Sequence, residues 1–205
     1  MASQGPLSPS TIADVSGVGT RVWSSPSNAV SQNDTYASVT TANNSTGISH
    51  WLQATNFGFS IPGGATINGV TVEIDRFAVE DFGPTVDSAL RLVKAGTIET
   101  SNHSSPGWGQ NGADGNVYDV IGGIADLWGA SWSATDINDT GFGFAMSVSL
   151  GKNDVANVDH IRITVTYTVA ASGGGPNRMF TVSSTKAVSA IQKQSLLVPI
   201  GFPVI

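Results

Sequence analysis

Phe57, Phe59 and Ile61 occupy every second position, and after Pro62-Gly63-Gly64 the same period resumes as Val70, Val72 and Ile74 against Thr71, Glu73 and Asp75. A period of two is the signature of a strand with one buried and one wet face. Proline removes a backbone donor and the glycines supply the freedom a reversal needs, so Asn56 to Val79 predicts two strands and a turn. A lone hairpin buries too little apolar surface to offset chain entropy, so partner strands are required.

The chain offers several. Arg21–Trp23 and Tyr36–Thr40 predict short strands, and Trp51–Phe59 opens the central hairpin. Beyond the turn at Glu80–Pro84, Val86–Lys94 alternates, with Val86, Leu90 and Leu92 on one face and Asp87 and Arg91 on the other. This strand is expected to pair with the one before it. Gly96 to Gly123 is weakly patterned, as functional or packed loops are. Ser133–Asn138 (SATDIN) places a capping Ser three residues before an Asp and predicts one helical turn. Phe142, Phe144, Met146 and Val148 alternate again. Finally, Ile161, Ile163, Val165, Tyr167 and Val169 oppose His160, Arg162, Thr164, Thr166 and Thr168. Roughly eight short strands without a helical period predict an all-β fold, an antiparallel β-sandwich of jelly-roll type, over residues 20–169. Residues 1–19 carry Pro6, Pro9, Gly5, Gly17 and Gly19 with few large apolar groups and predict an N-terminal arm. Residues 170–176 form a Gly-rich linker, and residues 177–205 a C-terminal docking tail.

Composition supports strands over helices, because only 12% of the 205 residues are charged and 24 are glycine. Residues 1–170 carry fifteen acidic against six basic side chains, a net −9, whereas residues 171–205 carry three basic and no acidic ones, a net +3. An acidic body argues against a nucleic-acid partner. The absence of cysteine excludes disulfides and thiolate chemistry. The opening MASQGPLSPST lacks the basic and apolar regions of a signal peptide, and no run approaches the roughly 20 apolar residues of a membrane span, so neither secretion nor a membrane partner is expected.

Three runs, NFGFSIPGGATINGVTVEIDR from Asn56, DLWGASWSATDIN from Asp126 with FGFAMSV following, and VDHIRITVTYT from Val158, together resemble a domain of tailed-phage virion and prophage proteins. The resemblance spans residues 20–169 and contains no catalytic motif. It implies a β-sandwich structural module of a virion.

The tail beyond Gly175 lies outside that resemblance. Met179, Phe180 and Val182 begin an alternating stretch, and the chain ends in Leu196, Leu197, Val198, Ile200, Phe202 and Ile205, interrupted by prolines. Apolar sequence of this kind must be buried, either against its own body or a sister subunit, or as a docking peptide on another virion protein.

Catalytic constellations are weak. Glu73 and Asp75 share a strand face about 7 Å apart, a spacing a glycosidase pair could use, but an ordinary solvent-facing strand edge is the reading the pattern favours. Asp159, His160 and Arg162 invite a triad, but neighbouring strand residues point to opposite faces and no Ser occupies a nucleophile elbow. His50, His103 and His160 lack metal-ligand spacing, and Asp114-Gly115-Asn116 lacks the rest of a calcium loop. Neither a metal nor a cofactor is expected. Trp108, Trp128 and Trp132 cluster in sequence; Trp128 and Trp132 read as packing, while Trp108, between two glycines, is the candidate exposed ring for a glycan contact. These features predict a non-enzymatic virion protein, a capsid decoration or cement protein that binds the major capsid protein through its arms and self-associates, as a trimer. The alternatives are a host-glycan-binding module of a head or tail fibre and a tail or neck ring component. Assembly in the host cytoplasm is expected.

Overall fold

The computed structural model describes residues 1–81, 83–103, 108–110 and 116–170, all within the unit Met1–Ala171. Two sheets pack face to face. The first has the order β1 (Ala2–Leu7), β12 (Val155–Thr168), β6 (Thr66–Val79), β10 (Tyr118–Gly122); β3 (Ala37–Thr40) also pairs with β12, and β9 (Gly109–Gln110) runs parallel to β6. The second has the order β2 (Thr11–Val15), β5 (Trp51–Thr55), β11 (Gly143–Leu150), β7 (Val86–Lys94), β8 (Thr97–Ile98), with β4 (Gly47–Ile48) on β11. The chain is an all-β sandwich, as its alternation predicts. None of the described helices is long and apolar enough to cross a membrane.

The spine is the long antiparallel pair β6 and β12. Ile74 lies opposite Ile161, Val72 opposite Ile163 and Val70 opposite Val165, and all six side chains are fully buried. They face Leu52, Leu90, Phe144 and Met146 of the second sheet in one continuous core. Because side chains alternate, the same register sends Thr71, Glu73 and Asp75 outward beside Thr164, Arg162 and His160.

The connections depart from the sequence-based expectation. β5 and β6 are not a hairpin: they belong to opposite sheets, and residues 56–65 cross between them. Phe57, Phe59 and Ile61 are buried, yet that stretch forms no strand. The backbone of Ile61 is instead satisfied at both ends by the Asn138 side-chain amide, which accepts from its N–H and donates to its carbonyl. β7 likewise pairs with β11 and β8 rather than with β6. A bulge between Asp87 and Ala89 then turns Asp87 toward the same side as Leu90 and leaves Val86 exposed, the reverse of simple alternation.

Residues 1–19 are not an arm. β1 adds to the first sheet and β2 to the second, where Ile12 enters the core. Their composition conceals this because β1 is held through its backbone. Arg21–Trp23 forms no strand, contributing only an isolated bridge from Arg21 to Ser49. The expected turn at Ser133 is α1 (Ala134–Asn138), with a full capping box: Ser133 Oγ accepts from Asp136 N–H, and the Asp136 carboxylate accepts from Ser133 N–H. The linker past Ala170, and all nine tail residues from Met179 to Ile205 expected to dock, lie outside the described residues.

Candidate functional site

The densest polar constellation lies on the outer face of the first sheet, where β6, β10 and β12 run side by side. Arg162 donates two hydrogen bonds to the Glu73 carboxylate, at 2.8 and 3.1 Å, and its guanidinium lies 3.7 Å from the centre of the Tyr118 ring. The Glu73 and Asp75 pair therefore does not sit on an open edge. Glu73 is engaged by Arg162, and Asp75 is buried and accepts from the Gln32 amide. Gln32 also donates to Asn116, the end of the stretch tested for a calcium loop.

His160 occupies the middle of this face. Its Nδ1 is 2.6 Å from Tyr118 Oη and its Nε2 is 2.9 Å from Ser8 Oγ. Ser8, in the corner between β1 and β2, lies 152 residues away in sequence, so no local motif announces the contact. Asp159 points elsewhere; its two carboxylate oxygens both accept from the backbone N–H of Asn33. Burial, followed by the adjacent Arg162 charge, holds the His160 pKa below 6.5, so the ring is neutral at pH 7. Burial also raises the Tyr118 phenol. A phenol that keeps its proton is the natural donor to Nδ1, which leaves the Nε2 proton to point at Ser8. In that tautomer His160 has no lone pair for the serine and orients it without activating it. A triad would need a carboxylate where Tyr118 stands.

The other candidates are distributed. His50 pairs with Asp14 and His103 with Asp126, each at 2.8 Å and remote in sequence from His160. Among the described residues no group of three or more His, Cys, Asp or Glu is placed to hold a metal ion. Trp128 and Trp132 are packed against Phe144 and Phe142, as expected. Trp108 is a correction: it is only 3% exposed, its Nε1 donates to Asp87, and Arg76 stacks on its ring at 4.5 Å. An inward Arg on β6 needs an aromatic face and two carboxylates, Asp87 and Asp119, and Trp108 completes that set.

Beside the His160 cluster the outer face opens into a shallow depression of about 330 Å³, floored by Thr164 and Thr166 and walled by Met1, Ala2, Ser3 and Ile124. It contains no ionisable side chain. Ile124, 66% exposed, is carried over the sheet by a loop that lies against Gly69, where a Cβ would meet the Gly123 carbonyl oxygen at 2.3 Å. Val120 continues the exposed apolar surface on β10. Hydroxyls and aliphatic groups of this kind suit protein contact more than bond-making chemistry. No protein-family model, curated protein or solved structure matches the chain.

Proposed function

We propose that this protein is a non-enzymatic structural component of a bacteriophage virion: a capsid decoration protein that docks on the particle through its C-terminal segment, self-associates as a trimer, and stabilises the shell. The observation that carries the reading is how the polar groups are used. The charged clusters of the sandwich, the Arg162–Glu73 pair on its outer face included, are engaged in holding it together, whereas the depression beside them is lined by hydroxyl and aliphatic side chains. The resemblance to tailed-phage modules points the same way. The strand orders β1-β12-β6-β10 and β5-β11-β7-β8 also fit an eight-stranded jelly roll with β2 added at one edge, a fold that capsid and lectin domains share. That likeness is an analogy of fold, so the test has to be functional. The glycan-binding alternative loses its proposed contact, because the Trp108 ring is buried.

Particles stripped of the protein should lose integrity under heat and low salt sooner than complete particles, and added protein should restore them. Equal resistance would overturn the cement role. Full-length protein should co-sediment with empty heads and a chain ending at Ser172 should not. If neither binds heads, a tail or neck ring component replaces the decoration reading.

A further inference from the structure

β1 is attached to the sandwich in an unusual way. Its partners on β12 run Ala2 to Tyr167, Ser3 to Thr166 and Gln4 to Val165, and after a register shift Leu7 to Ile163. Ala2, Ser3, Gly5 and Pro6 are exposed, and Leu7 is the β1 side chain that packs against the core. Two further side-chain ties hold it: Gln4 Oε1 accepts from Ser60 N–H, and Ser8 meets His160. A strand bound chiefly through its backbone opens at lower free energy than the whole fold. Its departure would free the N–H and C=O groups that residues 163–167 turn toward β1, leaving the β12 edge a template for strand addition.

Gly5 narrows what can occupy that edge. Its φ is +119°, and a Cβ there would lie 2.5 Å from the Ile163 carbonyl oxygen and 2.8 Å from the Thr164 Cα. Both are backbone atoms and cannot step aside, so the incoming strand needs glycine at this point. β1 supplies it. The chain then leaves the first sheet at Ser8–Ser10 and re-enters the second as β2, so β1 can swing out while Ile12 stays in the core. We propose that β1 is an exchangeable strand: it leaves its own β12 and pairs, in the same register, with the β12 of a second copy of this chain. The inference stands apart from the virion reading, since it needs only the protein itself.

The chain has no cysteine, which makes the test clean. Ser3 and Thr166 lie directly opposite each other, within disulfide reach. A full chain carrying Ser3→Cys is mixed with one carrying Thr166→Cys under oxidising conditions, each checked for native circular dichroism. The expected result is a covalent heterodimer identified by mass. It should be absent when Val22→Cys, on an exposed site, replaces Thr166→Cys, and lost when the Ser3→Cys chain also carries Gly5→Val. Two results would overturn the proposal: no heterodimer although the double variant Ser3→Cys/Thr166→Cys closes its internal disulfide, or a heterodimer that Gly5→Val leaves intact, which would mean collision rather than strand docking.

Discussion

Arg76 projects inward from the central strand of a sandwich, with its side chain fully buried. A charge so placed is tolerable only with compensation, and Asp87, Asp119 and the Trp108 ring provide it. Removing one member strands the others, so Arg76→Ala should lower unfolding stability in urea by about 3–5 kcal/mol. Trp108→Ala should cost a similar amount, about 3–5 kcal/mol, and a double-mutant cycle should show the two effects to be strongly non-additive. A Trp108→Ala protein of unchanged stability would return the ring to the list of surface contacts. His160 makes a pH prediction of definite sign. Its folded-state pKa lies below 6.5, so on acidification the unfolded chain takes up this proton first. Its contribution is complete above pH 6.5, falls as pH drops through the lowered folded value, and then levels. Stability measured against pH should show that acid loss, and His160→Gln should lack it. None of these residues announces its role in sequence. Arg76 is one charge beside Asp75, and Ser8 is one serine in a serine-rich chain; register and topology give them their partners.

At the scale of elements, legibility follows periodicity. β6 and β11 run where the pattern places them; β12 begins earlier, at Val155, and ends at Thr168, so that Val169, grouped by alternation with Ile161, lies past the strand and is exposed. The capping box of α1 is equally readable, since Ser133 and Asp136 act within one turn; Ser133→Ala should cost about 1 kcal/mol by denaturant unfolding. Two hydrogen bonds from Ser133 to its carboxylate, with Lys94 nearby, outweigh the opposing effect of burial and hold Asp136 below the usual carboxylate range. Non-local contacts decide the rest. The bulge that turns Asp87 inward arises from pairing with β11, which lies more than fifty residues further along the chain. Gly69 looks like an ordinary turn glycine after Asn68, yet it lies within β6 and admits the backbone of residues 123–125. Gly69→Val should therefore displace that loop and lower stability by about 1–3 kcal/mol. A thermal shift no larger than that of an exposed Thr66→Val control would show that the loop gives way freely.

For the molecule as a whole, the strands on either side of β6 are dealt to the opposite sheet from it, and this is why the expected hairpins are absent. β5 and β6, and again β6 and β7, are neighbours in sequence but separated by the core. The acidic body of residues 1–170 and the basic, apolar segment that follows have opposite charge, so binding of the full-length protein to heads should weaken as salt rises if attraction of that segment to an acidic partner contributes. Sedimentation across a salt series checks this, and salt-independent binding would assign the contact to apolar burial alone. By itself the sequence determined the class of fold and the identity of its long strands, because a two-residue period and the want of helical surface chemistry are local properties. It also determined the turn at Ser133 and the change of composition at residue 170. Only the tertiary structure decided which strands pair, that the first residues are strands and not an arm, that Trp108 is interior, and that Ser8, Tyr118 and His160 meet. Backbone hydrogen bonds are indifferent to side-chain identity, and a single bulge inverts the faces of everything beyond it; such features exist only once distant segments have found their register.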